Sequence, residues 1–257
     1  MLLIALLVFF GGLFIGSFLN VIADRLQRHE SFLLGRSHCD HCKKELSWYE
    51  LIPVVSYLLQ QGKCRHCHHH LSRFYPLSEL IAGLMLSLVT LSFISQPLEV
   101  LFLLLFISCC LLIIVFSDLK YEIIPFPVVA VVTIASLILL VITSPTLLPL
   151  AILSGFGVAF FFFAIFFLTK GRGMGFGDVI YAFCMGVLLG FPKIILGIYI
   201  AFITGAIVAL GLVLLKKKKL HGGTIPFGPF LVLGTFTMIM WGDKLMNVAL
   251  KLLLGRP

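Results

Sequence analysis

The chain has 257 residues, 60% hydrophobic and only 12% charged, a balance far outside that of soluble domains. It reads as an all-α polytopic membrane protein, with the lipid bilayer as its surroundings. The net charge of +8 does not point to nucleic acid, because the basic residues lie between apolar spans, where orientation signals belong.

The first apolar run extends from Leu2 to about Ile22. It has no basic residue before it, and Arg25 and Arg28 follow it, the reverse of a cleaved signal peptide. A retained helix with its N-terminus outside is expected. A polar stretch, 23–76, comes next. Seven further apolar runs follow, at about 77–95, 99–117, 127–146, 148–168, 178–191, 194–215 and 228–250, so about eight transmembrane helices are expected. The sixth is short, and the break between the fourth and fifth is placed around Ser144-Pro145-Thr146. Residues 1–76 are expected to form an N-terminal helix plus a polar loop, and 77–257 a membrane-embedded bundle. With the N-terminus outside, the loops 23–76, 118–126, 169–177 and 216–227 face the cytoplasm. They hold fifteen of the nineteen Lys and Arg residues, including the run Lys216 to Lys219, as the positive-inside rule requires.

The polar loop contains an internal repeat. Cys39-Asp40-His41-Cys42-Lys43-Lys44-Glu45-Leu46-Ser47 matches Cys64-Arg65-His66-Cys67-His68-His69-His70-Leu71-Ser72 at an offset of 25. Two Cys-x2-Cys knuckles suit tetrahedral thiolate ligation, so Cys39, Cys42, Cys64 and Cys67 are expected to hold a structural zinc. Four thiolates leave no open coordination position, so this metal is not expected to be catalytic. The neighbouring His38, His41, His66, His68, His69 and His70 are read as solvated loop residues. Cys109, Cys110 and Cys184 lie inside spans and read as small packing residues.

Two carboxylates stand at the ends of apolar runs. Asp118 lies in Ser117-Asp118-Leu119-Lys120-Tyr121-Glu122-Ile123-Ile124-Pro125, and Asp178 closes Gly175-Phe176-Gly177-Asp178. Taken singly, the first is explained by a charge at a helix end and the second by a helix N-cap. Two spans lie between them, and an even number returns the chain to the same face. Both are therefore expected at the cytoplasmic boundary. Such a pair can hold one proton, with one member activating water and the other protonating a departing amine. Gly175 and Gly177 permit close backbone approach and unusual φ, so an extended peptide could lie against the site. Glu79, just inside the second span, is assigned neither to the interface nor to the site. No His-Glu-x-x-His or Gly-x-Ser-x-Gly supports another hydrolase chemistry. A proton- or ion-coupled transporter using the aspartates as a relay is the alternative.

Together these residues resemble the type IV prepilin peptidases, or leader peptidases, with a Gly-x-Gly-Asp aspartyl protease core. The resemblance rests on Phe14-Ile15-Gly16-Ser17-Phe18-Leu19-Asn20-Val21-Ile22 with Arg25-Leu26, the paired knuckles, and Trp48-Tyr49-Glu50-Leu51-Ile52-Pro53. It continues through Gly62-Lys63-Cys64-Arg65, Tyr75-Pro76 with Glu79, the two aspartate motifs, and Ile225-Pro226-Phe227-Gly228-Pro229-Phe230. The resemblance implies Asp118 and Asp178 as catalytic residues, with Gly175, Gly177, Lys120 and Pro125 in the surrounding loops. It implies cleavage of a short basic leader after a glycine, at the cytoplasmic face of the cell's inner membrane. Prepilins or pseudopilins of a pilus, competence or secretion system would be the partners. It also implies N-methylation of the new amino terminus from S-adenosylmethionine, associated with the N-terminal portion.

Overall fold

The computed structural model describes residues 2–28, 30–31, 35–215 and 225–254. These form a succession of helices: α1 (Leu2–Arg28), α2 (Val55–Leu59), α3 (Phe74–Phe93), α4 (Leu98–Tyr121), α5 (Phe126–Thr143), α6 (Leu148–Leu168), α7 (Phe176–Leu189), α8 (Lys193–Leu214) and α9 (Gly228–Leu254). Two 3₁₀ turns, Trp48–Leu51 and Pro145–Leu147, complete the order. No strand occurs among the described residues. The eight apolar runs of the sequence are all helical, and the expected break between the fourth and fifth is the turn at Pro145–Leu147.

The chain is a multi-pass membrane protein. Among the described residues, six helices are long and apolar enough to cross a bilayer: α1, α3, α4, α5, α6 with its preceding turn, and α8. α7 has 14 residues, so it spans ~21 Å against a hydrocarbon layer of ~30 Å. α9 has 27 residues, but Asp243 and Lys244 interrupt its apolar character.

The chain divides into two compact units, Met1–Phe116 and Ser117–Pro257. In the first, α1 packs along α3. A methyl added at Gly16 would sit 2.6 Å from Cβ of Ala82, and one at Gly12 would sit 2.7 Å from Cα of Gly83. Small residues one turn apart thus let the two backbones approach, the usual device where lipid removes the hydrophobic drive between helices. One further turn along, Asn20 Nδ2 donates to the Gly16 carbonyl at 3.1 Å and to Ser78 Oγ at 2.7 Å. The guanidinium of Arg25 then donates to the carbonyls of Ser31, Gly35 and Arg36 and fastens the polar loop to the end of α1.

In the second unit α5 and α6 pack against α7, and α8 against α9. Phe156 of α6 meets Phe183 of α7 edge-on at 5.0 Å between ring centroids, and α6 exposes Phe160, Phe163 and Phe167, an apolar stripe suited to lipid. Polar side chains within the spans are satisfied locally. Thr133, Ser136 and Thr204 donate to carbonyls four residues back, and the buried Tyr181 hydroxyl lies 2.9 Å from Thr235 Oγ1.

Candidate active site and metal centre

Asp118 lies in the last turn of α4 and is 5% exposed. The chain reverses just after it. The Ser117 hydroxyl donates to the Ile123 carbonyl at 2.8 Å, and the Glu122 N–H donates to the Asp118 carbonyl at 2.9 Å. Glu122 takes φ +55°, a left-handed conformation uncommon outside glycine. Buried Pro125 is then the N-cap of α5. Lys120 is half-buried on the same turn as Asp118.

Asp178 is 7% exposed. It is the third residue of α7 rather than its N-cap; Gly175 is the N-cap. Asp178 Oδ2 reaches back to accept the Gly175 N–H at 3.1 Å, the carboxylate arm of a capping box. Asp118 is held in a matching way, since its Oδ2 accepts the N–H of Gly228 at 2.9 Å. Gly228 opens α9, so each carboxylate faces the first turn of a helix, where free amides favour negative charge. Among the described residues the second oxygen of each carboxylate has no donor.

The two aspartates lie near enough to interact electrostatically, and Ile124 packs between their supports. A methyl at Gly177 would stand 3.0 Å from Ile124 Cβ, and one at Gly228 would stand 3.3 Å from Ile124 Cδ1 and 2.6 Å from Asp118 Oδ2. This corrects the expectation of unusual backbone at the glycine motif. Gly175 has φ −76° and Gly177 is helical, so neither uses a glycine-only conformation. Gly177 is small because Ile124 is close, whereas exposed Gly175 has only its own helix turn nearby. The sequence carried Gly228 and Ile124 inside motifs but gave neither a role. The run Lys216 to Lys219 lies outside the described residues.

In the first unit the two knuckles share one geometry. Cys39 N–H donates to the Lys44 carbonyl and Lys43 N–H to the Cys39 carbonyl; 25 residues on, Cys64 N–H donates to His69 and His68 N–H to Cys64. Lys43 and His68 both take left-handed φ, +57° and +56°. The four Sγ atoms of Cys39, Cys42, Cys64 and Cys67 all lie within 4.8 Å of one another, with Cys39 and Cys67 3.9 Å apart. A tetrahedral zinc with ~2.3 Å bonds sets sulfur atoms ~3.8 Å apart, so the donors fit that ion. Burial pushes the Cys64 thiol up, but the backbone N–H groups of Cys67 and His66 and the neighbouring thiols outweigh it and draw it to about 7. The His69 N–H pulls Cys67 down, but burial and the other three thiols push it up to about 11. Four thiols thus compete for negative charge that a cation would stabilise in all of them. Of the six histidines, five are exposed and His38 is half-buried, and His41 stacks on His69 at 4.3 Å between ring centroids.

Glu79 also belongs to the first unit and is 7% exposed. Its Oε2 accepts the N–H of Val54 at 2.8 Å, and the Ser17 hydroxyl is a second donor. Val54 is thereby held at φ +60°, unusual for a β-branched residue.

Residues 10–93 match the model of the bacterial peptidase A24 N-terminal domain, and residues 104–210 match that of the type IV leader peptidase family. The prepilin leader peptidase/N-methyltransferase of Legionella pneumophila is 31% identical, over 91% of this chain and 90% of that protein. The protein of the same name from Stutzerimonas stutzeri is 30% identical, over 91% of this chain and 89% of its own length. The one from Bacillus subtilis is 29% identical, over 97% of this chain and 99% of its own length. No solved structure matches the chain.

Proposed function

The chain belongs to the type IV leader peptidase family, and on that premise we propose that it is a membrane aspartic endopeptidase that removes the short basic leader of prepilin-like precursors. Asp118 and Asp178 are its catalytic residues. The observation that carries this reading is the pair itself: two buried carboxylates, each tied through one oxygen to a backbone amide, with the second oxygen left for chemistry. One aspartate takes a proton from water as the oxygen adds to the scissile carbonyl. The other gives a proton to the departing amine as the C–N bond breaks. The amides hold both carboxylates in place through the step, so little reorganisation is needed.

The precursor's apolar helix lies in the bilayer, and its scissile segment passes in extended form by exposed Gly175. Only the Asp178 carboxylate and the Gly177 amide lie within 4 Å of a methyl built there. A glycine before the cut suits that close approach. The site faces the cytoplasm, with the N-terminus outside, as the Lys and Arg distribution favours. Cys39, Cys42, Cys64 and Cys67 hold a structural zinc that stabilises the loop. Because the relatives are also named N-methyltransferases, the chain is read as methylating the new amino terminus too, with S-adenosylmethionine supplying the methyl group.

Co-expression with a prepilin-like precursor tests the peptidase reading. Wild type should remove the leader, seen as a gel shift. Asp118→Asn and Asp178→Asn should insert normally and leave the precursor uncut, since a carboxamide can neither take nor give the proton. Near-normal processing by either variant would overturn the assignment.

A further inference from the structure

The segment between the two knuckles wears its polarity inside out. In the 3₁₀ turn Trp48–Leu51, residues three apart share an edge, and that edge is Trp48, 77% exposed, with Leu51, also exposed. The acid between them, Glu50, is buried, and its Oε2 accepts the Ser47 N–H at 2.8 Å. α2 repeats the pattern. Val55, Leu58 and Leu59 stand at helix spacings of three and four and are all exposed, Leu59 at 80%. Ser56 and Tyr57 are half-buried. A segment facing water places its apolar and polar residues the other way round.

Depth decides what covers this face. The N–H of Val54, the residue before α2, donates to Glu79 Oε2 at 2.8 Å, and the Ser17 hydroxyl donates to the same carboxylate. Glu79 lies inside the apolar run of α3 and Ser17 inside that of α1, and both helices are long and apolar enough to span. Val54 is therefore tied at the edge of the hydrocarbon. α2 has five residues, a rise of ~7.5 Å, and the headgroup layer beyond the hydrocarbon is ~5–7 Å deep. Standing upright, α2 reaches no further than about the outer edge of that layer; lying flat, it stays within it.

The charges suit the same surface. Lys43, Lys44, Lys63 and Arg65 are exposed. Tyr49, Leu59, Lys63 and Arg65 line one surface depression, with the Arg65 guanidinium 5.4 Å from the centre of the Tyr49 ring. The nearby acids Asp40 and Glu45 are paired with Arg28 and Arg36 at 2.9 and 3.0 Å. An apolar face with aromatic and basic side chains at its margin fits a layer of anionic headgroups. We infer that Trp48–Leu59 lies in the headgroup layer of the bilayer that the spans cross. Lipid holds this segment on one side and Glu79 on the other, so the knuckle loop is bound to the membrane surface rather than carried in solvent.

The chain has two tryptophans, Trp48 and Trp241, so Trp241→Phe leaves Trp48 as a single fluorescent reporter. The full chain is reconstituted in vesicles of phosphatidylcholine and phosphatidylglycerol doped with lipid that carries a quencher either near the headgroup or near the chain end. Trp48 emission should be quenched about twofold more by the shallow label than by the deep one. Acrylamide in the water should quench it several-fold less than free tryptophan. Leu58→Asp together with Leu59→Asp should lift the face away, so that shallow quenching falls about twofold and acrylamide quenching rises, with insertion of the spans unchanged. Leaving out phosphatidylglycerol should also weaken the shallow quenching. Acrylamide quenching equal to that of free tryptophan, with none from lipid, overturns the placement, as does equal or stronger quenching by the deep label. Shallow quenching unmoved by the two aspartates overturns the part given to α2, and quenching indifferent to phosphatidylglycerol overturns the part given to the basic margin. If Trp48 is protected only when a precursor is added, or only at high protein density, the face belongs to the precursor or to a second copy and the inference fails. None of these readouts involves leader removal, so they stand or fall apart from the peptidase reading.

Discussion

Gly228→Ala is the most direct test of how Asp118 is held. The new methyl would lie 2.6 Å from Asp118 Oδ2 and 3.1 Å from its Cγ, where ordinary contact begins at 3.4 Å. The carboxylate must therefore withdraw by about 0.8 Å, the difference between 3.4 and 2.6 Å. That withdrawal also lengthens its one hydrogen bond, now 2.9 Å. A hydrogen bond to a charged group contributes ~1.5–3 kcal/mol, and a misplacement of ~1 Å at a reacting group costs ~100-fold. Both routes lead to the same scale, since ~2.7 kcal/mol is ~100-fold in rate. We expect kcat/KM for leader removal to fall ~100-fold, mostly in kcat, because Asp118 acts on the reacting bond rather than on binding. The assay is a time course of cleavage of a full-length precursor by variants reconstituted in lipid, with insertion checked by protease accessibility. A Gly228→Ala enzyme within twofold of wild type would show that the amide of Gly228 does not set the position of Asp118.

Other expectations follow from the same geometry. Gly177→Val should slow cleavage by crowding Ile124, whose Cβ is already 3.0 Å from the methyl position; adding Ile124→Ala should restore much of the rate. Absence of rescue would return Gly177 to direct contact with the precursor. Purified protein should carry about one zinc per chain, and Cys64→Ser should make the 35–72 segment susceptible to limited proteolysis; a metal-free chain with a resistant segment would refute this. Zinc binding should release protons at neutral pH, because Cys67 is held at about 11 without metal. Apparent affinity should drop as pH falls below 7, where Cys64 also becomes protonated; a pH-independent affinity would remove thiolate ligation. A reporter fused at Gln96 should behave as external and one within 35–72 as cytoplasmic; cytoplasmic behaviour at Gln96 would place the two aspartates by some other route.

Much of this was legible in the residues. Hydrocarbon demands long apolar runs, so all eight helical segments could be read from composition alone. Zinc-like spacing is local, so the cysteine cluster followed from two short motifs repeated 25 residues apart. What the sequence hid is long-range. Asp118 and the amide that holds it are 110 residues apart, and a backbone N–H leaves no mark on residue type. Gly228 is written as a glycine for lack of room beside a carboxylate, a reason that no single chain of letters carries. Glu50 was hidden differently. It sits in a short polar segment where an exposed acid would be ordinary, and only the folded loop makes it a buried one.

The duplicated knuckle has a consequence for assembly. Each turn supplies two sulfurs from the same ten-residue backbone shape, so a single copy is half of a coordination sphere with nothing in its backbone turn to mark it as the first half or the second. A free peptide of residues 36–47 should therefore gather in pairs around one ion, and exchanging residues 37–46 with 62–71 should leave the ion bound. The cluster is indifferent to order. What tells the halves apart is the hold of Arg25 and Arg28 on the first and the segment strung between them, anchored by Glu79 to Val54; these tethers turn a symmetric clasp into a loop with one way round.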